Sequence, residues 1–521
     1  MAQENSNTDT NQTPNIVLIM ADQLTPSVLP AYGHKTVKAP HIQALADNGV
    51  VFENAYCNFP LCVPSRASMM AGRLANNIEC WDNATEMPGQ IPTMAHYLRG
   101  AGYHTILCGK MHFVGPDQVH GFNERITTDI YPSNFSWVPD WIEGEKYRPT
   151  GINMSAVVDS GTCVRSLQMD YDDEVEYAGI QKIHDLARFQ NDKPFFLTVS
   201  FTHPHSPYII TQEYWDRYDH DDIEMPEVDP IPVEELDQHS KWLHYAHAQE
   251  KHTVTDENIK TSRHAYYGMT SYIDDKVGAI MKTLADTGQD ENTVVILTAD
   301  HGEMLGERGM WYKQSFFENS VRVPFIVCYP KGYKAARIKE NVSLVDLLPT
   351  LVDIAGDGKM PEFASPMDGN SLTGLLKGEK SGWSDVVISE YTGEGVVEPC
   401  RMVKRGNMKF MYTHNYPDQL FDLEADPKEL NNLAGLAEFE ELQAQLKAIC
   451  LDNWDPEDIK ARAIATQKER WLIKNTTDES DNSWAYKVEH NPDARYVRHI
   501  GAVQTKAKAR FPYVKPTPFN E

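Results

Sequence analysis

The sequence predicts an α/β sandwich around a central, mostly parallel sheet, followed by a smaller C-terminal α+β subdomain with an antiparallel sheet. Short apolar runs with β-branched residues recur along the first part of the chain, as in strands that are buried on both faces. Helical stretches separate these runs, an alternation typical of parallel sheets. After about residue 385 short strands follow one another with only turns between them, which indicates antiparallel pairing.

Polar residues follow three of the four strands predicted for the central sheet. The predicted strands are Asn15–Ala21, Pro194–Phe201, Thr293–Ala299 and Val323–Cys328. Asp22 follows the first run, His203 the second, and Asp300 and His301 the third. Ligands of open α/β sheets bind beyond the carboxyl ends of the strands. We therefore expect these side chains to meet at one edge of the sheet, although they are far apart in sequence.

The helices and the second sheet complete the predicted architecture. Helices are expected at Ile42–Asn48, Met94–Gly102, Asp173–Phe189, Asn258–Thr287, Leu344–Ala355 and Leu436–Cys450. The second sheet is expected to contain Val386–Tyr391, Cys400–Lys404 and Lys409–Tyr412. The predicted domains are a disordered tail (1–13), a large domain (14–384), an antiparallel-sheet subdomain (385–455) and a segment (456–521) that wraps its own domain or a partner subunit. This last segment favours a homo-oligomer.

The composition excludes some partners. The 521-residue chain has 48 basic and 75 acidic residues and a formal net charge of −27 at pH 7. This charge argues against nonspecific binding to nucleic acid or to an anionic membrane. It slightly favours small or zwitterionic ligands over polyanions, because a polyanion would be repelled at long range.

Cysteine usage and the N-terminus bear on localisation. The eight cysteines are scattered and form no C-x-x-C pair, a pattern typical of free thiols in a reducing compartment. The first residues are polar and carry no Lys or Arg, unlike a signal peptide. No apolar run reaches the ~18 residues of a membrane span. We expect a cytoplasmic protein, or a periplasmic one if a leader was removed.

One string of residues is more informative than the rest, Cys62-Val-Pro-Ser-Arg66 followed by Gly72-Arg73. Here the chain resembles the type I sulfatase family, whose signature is C-x-P-S-R followed by G-R. Other segments match the family's motifs in the same order: Asn15–Asp22, Gly109–His112, Thr202–His205, Thr298–Gly302 and Lys313. The resemblance covers most of the chain and implies an alkaline-phosphatase-like sandwich fold.

The resemblance implies the hydrolysis of a sulfate monoester. In this family a dedicated maturation enzyme converts the cysteine to formylglycine (3-oxoalanine), so Cys62 would become an aldehyde. The hydrate of this aldehyde has two hydroxyls on one carbon. One hydroxyl attacks sulfur and expels the alcohol, and deprotonation of the other ejects sulfate. An ordinary serine lacks the second hydroxyl and would stay sulfated.

The resemblance also implies a set of metal ligands around one divalent ion. These are Asp22, Gln23, Cys62, Asp300 and His301. Ca²⁺ is expected first, because carboxylate oxygens are hard ligands, and Mg²⁺ is an alternative on the same ground. Mn²⁺ and Zn²⁺ are further alternatives, since Gln23 and His301 replace the Asp and Asn of many sulfatases.

The implied catalytic residues are Cys62, Arg66, Lys110, His112, His203 and Lys313. Arg66 would hold the formylglycine hydroxyl, and both lysines would bind sulfate oxygens as point charges. His112 would take the proton whose loss ejects sulfate, and His203 would protonate the leaving alcohol.

Within the family the chain most resembles choline sulfatases, through Gly109–Asp117, Thr127–Pro132 and Leu420–Pro427. The implied substrate-binding residues are Asn83, Trp137 and Glu390, of which the last two would hold a quaternary ammonium. A sulfated sugar is an alternative substrate, on which Trp137 would stack. A phosphonate or phosphodiester hydrolase of the same superfamily is a second alternative. A non-catalytic relative is disfavoured, because Cys62 and both lysines are present.

Overall fold

The structure of the protein is a computed structural model that describes residues 13–144, 152–189, 193–356 and 362–478. Of the predicted tail, residues 1–12 lie outside this description, as do residues 479–521 of the predicted wrapping segment. The described strands are β1 (Asn15–Ala21), β2 (Val50–Tyr56), β3 (His104–Gly109), β4 (Glu124–Arg125), β5 (Gly161–Cys163), β6 (Phe195–Phe201), β7 (Ile209–Thr211), β8 (Thr293–Thr298), β9 (Phe325–Cys328), β10 (Ala336–Ser343), β11 (Val386–Tyr391), β12 (Cys400–Arg405), β13 (Met408–Thr413) and β14 (Gln419–Asp422).

Eight strands form the central sheet, in the order β10-β2-β9-β8-β1-β6-β3-β4. Strand β1 lies inside the sheet, parallel to both β6 and β8. Only β9 runs against its neighbours among these strands, antiparallel to β2 and β8. The remaining pairs are parallel. The predicted α/β fold with a central, mostly parallel sheet is therefore confirmed.

Helices cover both faces of this sheet. Every residue of β1 is buried, and side chains of a strand alternate between its two faces, so both faces are packed. The helices are α1 (Pro40–Asn48), α2 (Cys62–Ala71), α3 (Met94–Gly100), α4 (Ser155–Val158), α5 (Leu167–Arg188), α6 (Gln212–Trp215), α7 (Gln238–Ala246), α8 (Asp256–Asp286), α9 (Glu318–Val321), α10 (Leu347–Ala355), α11 (Thr373–Leu376), α12 (Glu440–Leu451) and α13 (Pro456–Asp478). Helices α1 and α5 pack against α8, while α2 and α3 pack against α10.

Strands β11 to β14 form a separate four-stranded antiparallel sheet in sequence order. Helix α12 packs on β12 and β13, so this sheet and helix have the predicted α+β character. The helix expected to begin at Leu436 begins at Glu440, after a single 3₁₀ turn at Ala437–Phe439. A short third sheet joins β5 and β7.

Helix α13 has no counterpart among the predicted helices. Its sequence shows no clear apolar periodicity, and the structure gives the reason. Its first half buries the apolar side chains of Ile459 and Ala463, whereas its second half is attached to the large domain by polar side chains, among them Gln467 and Arg470. Periodicity of apolar residues therefore does not reveal it. Among the described helices, none has both the length and the apolar character to cross a membrane.

Candidate active site

The ends of three adjacent strands define one edge of the central sheet. Strands β8, β1 and β6 are neighbours, and Asp300, Asp22 and His203 follow their carboxyl ends. The backbone N–H of Gln23 donates to Asp300 Oδ1 at 3.1 Å. The structure thus brings these polar residues to one edge, as the strand ends predict.

Four side chains at this edge form a candidate metal-binding cluster. Their ligand atoms all lie within 4.8 Å of one another, and the residues are Asp22, Cys62, Asp300 and His301. Nε2 of His301 lies 3.2 Å from the sulfur of Cys62 and 3.7 Å from both Asp22 Oδ1 and Asp300 Oδ2. All four residues are buried. Two buried carboxylates so close together need a compensating positive charge.

The protonation of His301 suits a metal ligand. Its Nδ1 lies 3.1 Å from the carbonyl oxygen of Gly302, which assigns the ring proton to Nδ1 and leaves the Nε2 lone pair facing the cluster. Burial lowers the pKa of His301 to about 3, so the ring is neutral. Neutral imidazole and ionised carboxylates are the forms that bind divalent ions, and the residues present fit one.

Residue 62 stands at the start of α2, and the signature residues fix it there. Ser65 donates its hydroxyl to the carbonyl oxygen of Asp300 at 2.5 Å. Arg66 donates from Nε to the carboxylate of Asp300 at 2.8 Å. The helix ends at Gly72 in a left-handed conformation (φ 63°), which glycine adopts without strain. The C-x-P-S-R…G-R pattern therefore fixes residue 62 against the end of β8.

The thiol of Cys62 is not set up as a nucleophile in its own right. Burial raises its pKa to about 12, whereas reactive cysteines have a lowered pKa. The backbone N–H of the next residue, Val63, donates to Asn83 Oδ1 at 3.0 Å. The start of α2 is thus tied to Asn83, and the Cys62 side chain beside it is a buried, protonated thiol.

Two lysines lie beside Cys62 with buried ammonium groups. Lys110 contacts the carboxylate of Asp22, and burial lowers its pKa to about 7. Lys313 donates to Gln23 Oε1 at 2.7 Å and to His205 Nε2 at 2.8 Å. The predicted metal ligand Gln23 thus has its side-chain oxygen bonded to Lys313.

His112 faces the same space on a strained backbone. Its φ is 60°, and its backbone N–H donates to Asp129 at 2.6 Å. The ring lies between Tyr131 and Trp137, with centroid distances of 5.1 and 5.5 Å. Neither ring nitrogen has a hydrogen-bond partner among the described residues. Burial and then Lys110 lower the pKa of His112, so the ring is a neutral proton acceptor.

His203, unlike His112, has a carboxylate on its ring. Its Nδ1 lies 2.6 Å from Asp172 Oδ2, and Asp172 also accepts the backbone N–H groups of Thr202 and His203. Nε2 is buried and has no partner in the described part of the chain. The contact of Asp172 with Nδ1 fixes the orientation of the ring and leaves Nε2 as the nitrogen without a partner among the described residues.

Comparison with known proteins now gives the family. The Sulfatase family profile matches residues 14–357, and the profile described as N-sulphoglucosamine sulphohydrolase, C-terminal, matches residues 306–453. The chain belongs to the sulfatase family. Members of this family generally use a divalent metal ion and a formylglycine.

Two relatives of this chain are also sulfatases. This sulfatase is 40% identical to the choline-sulfatase of Rhizobium meliloti over 96% of this chain and 99% of that protein. It is 29% identical to an arylsulfatase of Clostridium perfringens over 84% and 94% of the two chains. These relatives and the family profile make it a sulfuric ester hydrolase that cleaves sulfate esters.

Two solved structures share the fold. One is a phosphonate monoester hydrolase of Agrobacterium radiobacter, with a TM-score of 0.67 at 23% identity over 86% of this chain and 96% of that one. The other was solved in complex with its substrate D-glucosamine-2-N,6-O-disulfate, with a TM-score of 0.67 at 21% identity over 87% and 98%. These likenesses establish the alkaline-phosphatase-like architecture of this sulfatase.

The structure separates the three residues expected to bind the alcohol half of the substrate. Asn83 lies beside Val63, and Trp137 lies against His112. Glu390 belongs elsewhere, because its carboxylate accepts the N–H of Asn76 at 3.0 Å and lies 3.3 Å from Arg401. The structure does not bring Glu390 into contact with the other predicted site residues.

A different carboxylate of this sulfatase lies at the site. Oε1 of Glu394 is 3.5 Å from Asn83 Nδ2, and its charge acts on Cys62 and Lys313. His205 and Tyr131 also line the site, although no role for either was predicted from the sequence. The occurrence of His205 two residues after His203, in Thr-His-Pro-His, could have indicated that His205 belongs to the site. Glu394 lies in a loop after its strand and belongs to no motif.

Proposed function

We propose that this sulfatase hydrolyses a small cationic sulfate monoester of the choline sulfate class, with formylglycine at position 62 as nucleophile. Glu394 carries the substrate part of this proposal. Its side chain is buried, and Oε2 has no hydrogen-bond partner among the described residues. Burial and the charge of Asp82 raise its pKa to about 7, and Lys313 offsets them only in part. A quaternary ammonium would supply the positive charge that this carboxylate still lacks.

Aromatic side chains support the same ligand. The ring centroids of Tyr131 and Trp137 lie 5.2 Å apart, and the ammonium of Lys110 lies 4.3 Å from the Tyr131 centroid. Aromatic faces attract cations, most strongly when water is excluded. Residues 136–141, which include Trp137, are called the tryptophan segment. Within it, Trp141 Nε1 donates to the carbonyl oxygen of Gly393 at 3.3 Å, which links the segment to the loop of Glu394.

The nucleophile is the hydrate of an aldehyde at residue 62. The oxygen of one hydroxyl, whose proton passes to solvent, forms a bond to sulfur while the bond from sulfur to the alcohol oxygen breaks. The second hydroxyl then loses its proton, the bond from Cβ to the sulfated oxygen breaks, and the aldehyde and free sulfate result. Water restores the hydrate. The raised thiol pKa of Cys62 supports this route, because the unmodified side chain would stay protonated.

Two buried lysines bind the sulfate group, and two histidines transfer protons. Lys110 and Lys313 bind sulfate oxygens as the bond to the alcohol lengthens. His203, whose Nδ1 is paired with Asp172, serves as the general acid toward the departing alcohol oxygen through Nε2. Neutral His112 accepts the proton of the second hydroxyl. The two rings have different neighbours, the carboxylate of Asp172 for His203 and the ammonium of Lys110 for His112.

A divalent ion held by Asp22, Asp300, His301 and residue 62 would lower the pKa of the attacking hydroxyl and offset the charge of the two carboxylates. We propose Ca²⁺, since two of the four residues are carboxylates and modified residue 62 would add a hydroxyl oxygen, with Mg²⁺, Mn²⁺ and Zn²⁺ as alternatives. Elemental analysis of the purified protein distinguishes them. A metal content well below one ion per chain in active protein would contradict the proposal.

The substrate is tested by comparing Glu394→Gln with Glu390→Gln. Both are buried glutamates of the same region, but only Glu394 lies beside Asn83. We expect Glu394→Gln to raise KM for choline sulfate by about a hundredfold, the loss of one desolvated charge pair, and to leave KM for 4-nitrophenyl sulfate nearly unchanged. Glu390→Gln should affect both substrates alike. Equal effects of Glu394→Gln on both substrates would refute the cation site.

Kinetics of the wild-type protein distinguish the alternative substrate classes. Specificity constants on choline sulfate, a sulfated monosaccharide and a phosphonate monoester rank the three classes. The named relative at 40% identity supports choline sulfate, whereas the phosphonate hydrolase and the disulfated glucosamine complex resemble this sulfatase at 23% and 21% identity. A higher kcat/KM on either of the other classes would replace the proposed substrate.

The maturation enzyme, the assembly and the location are further parts of the proposal. We expect a formylglycine-generating enzyme to modify Cys62, which mass spectrometry of the peptide would detect after coexpression.

We also propose a homo-oligomer, measurable by light scattering. None of the eight cysteines forms a disulfide, which supports a reducing compartment such as the cytoplasm; fractionation of cells tests this.

A further inference from the structure

Four side chains in the second half of helix α13 form one regular stripe that bonds to the large domain. The residues are Gln467, Arg470, Trp471 and Lys474. Their spacing of three, one and three residues places them on one face of a helix. Each donates or accepts a hydrogen bond with a loop that borders the proposed pocket.

Three of these residues hold the tryptophan segment. The N–H of Trp141 donates to Gln467 at 3.0 Å. Trp471 Nε1 donates to the carbonyl oxygen of Pro139 at 3.1 Å, and Lys474 donates to that of Ser136 at 3.0 Å. These contacts lie on both sides of Trp137, the residue that packs against His112.

The fourth residue holds the opposite loop. Arg470 donates to both carboxylate oxygens of Asp82, at 2.5 and 2.8 Å. Both side chains are buried, at 6% and 0% exposure. Asp82 also accepts the N–H of Ala84 at 2.9 Å, which shapes the turn that presents Asn83. A buried, bidentate arginine–carboxylate pair fixes geometry in a way that an exposed ion pair does not.

We infer that the stripe on α13 positions the two walls of the substrate pocket relative to each other, with Arg470 as its central positioning residue. One wall is the turn of Asn83, which also contacts Val63 and Glu394. The other is the segment of Trp137. The inference rests on the proposed function for the identity of the substrate, but not for the mechanical role of the helix.

The main variant is Arg470→Met, which keeps length and removes the charge. We expect KM for the sulfate ester that wild-type protein cleaves best to rise about tenfold, typical of a pocket moved by a fraction of an ångström, with kcat changed less. Formylglycine and metal contents should equal those of wild type. Arg470→Lys should recover part of the loss, because the charge returns without the bidentate geometry.

A double variant separates positioning from stability. Arg470→Met alone leaves Asp82 buried and unpaired, so its Tm should fall. Asp82→Asn combined with Arg470→Met removes both charges, and its Tm should recover because no unpaired buried charge remains. KM should stay raised in the double variant. If KM recovers together with Tm, the ion pair serves stability only and the inference is overturned.

Lys468→Met is the matched control, because Lys468 lies on the same helix and is exposed. Its KM should equal that of wild type. Hydrogen exchange gives a readout that needs no substrate: the amides of 82–85 and 136–141 should exchange faster in Arg470→Met than in Lys468→Met. Unchanged exchange in both segments would overturn the inference. Failure of choline sulfate as a substrate would reject only the proposed function, since an aryl sulfate then measures KM.

Discussion

At the scale of single residues, the chemistry of the site depends on modification of Cys62. The thiol is buried beside two carboxylates and has a raised pKa. We predict that Cys62→Ser gives at most one turnover, because a serine has no second hydroxyl to eject sulfate. Mass spectrometry should find a sulfate group bound to Ser at position 62 after incubation with substrate. Sustained turnover by this variant would contradict the formylglycine mechanism.

A second residue-scale prediction concerns Glu394 and pH. Burial and the charge of Asp82 raise its pKa to about 7, against the opposing effect of Lys313. The side chain is neutral below this value and negative above it. KM for choline sulfate should therefore fall as pH rises from about 6 to about 8, approaching tenfold per unit on the acid side.

The control for this pH dependence is a substrate without a cation. The histidines and lysines of the site act on the sulfate half of both substrates, so the ratio of KM for 4-nitrophenyl sulfate to KM for choline sulfate isolates Glu394. This ratio should rise with pH in wild type and stay flat in Glu394→Gln. A flat ratio in the wild type would exclude Glu394 as the cation ligand.

The sequence could predict residues that lie at strand ends or in motifs, and few others. Asp22 and Asp300 are placed by parallel strands, whose carboxyl ends meet at one edge. Glu394 reaches the site through a long-range contact with Asn83. No local pattern distinguishes it from Glu390, four residues earlier, whose side chain faces Arg401 instead. The choice between the two depends on tertiary packing.

At the scale of elements, the end of β3 shows why the G-K-x-H motif begins with glycine. Gly109 has φ 96°, and a Cβ there would lie 2.0 Å from the carbonyl oxygen of Ser200. We predict that Gly109→Ala lowers the stability to unfolding and displaces Lys110, with a large loss of kcat. The backbone conformation alone costs a non-glycine residue about 1–2 kcal/mol.

Gly102 provides the matched control for this prediction. It has the same φ of 96°, near the start of β3, but no heavy atom lies within 4 Å of its Cβ position. Gly102→Ala should lose only the conformational part of the stability and keep its kcat. Thermal unfolding and kinetics of both variants measure the difference. Equal losses in both would show that the contact with Ser200 is unimportant.

Elements were predictable where apolar residues form a continuous run or recur with a regular period. Strand β1 and helix α8 agree with prediction to within a few residues, because burial selects their apolar side chains. Helix α13 shows the limit of this reasoning. In its second half the packed face carries Gln467, Arg470 and Lys474, so polar bonds there replace the apolar stripe that sequence reasoning detects.

At the scale of the whole molecule, the formal charge of −27 should act on association with substrate. Repulsion of an anion by a strongly acidic surface is screened by salt, with a Debye length of about 10 Å at 0.1 M. Choline sulfate carries no net charge, whereas 4-nitrophenyl sulfate is an anion. We predict that kcat/KM for the anion rises with NaCl concentration while that for choline sulfate changes little.

The comparison is made between about 0.01 and 0.3 M NaCl, a range over which the screening length shortens severalfold. Tm measured at each concentration checks that salt does not act through stability. Lys110 and Lys313 lie buried at the site, and they attract both sulfate groups alike at short range. The ratio of the two specificity constants therefore isolates the long-range field. A ratio that does not change with salt would show that the local cations outweigh the net charge of the molecule.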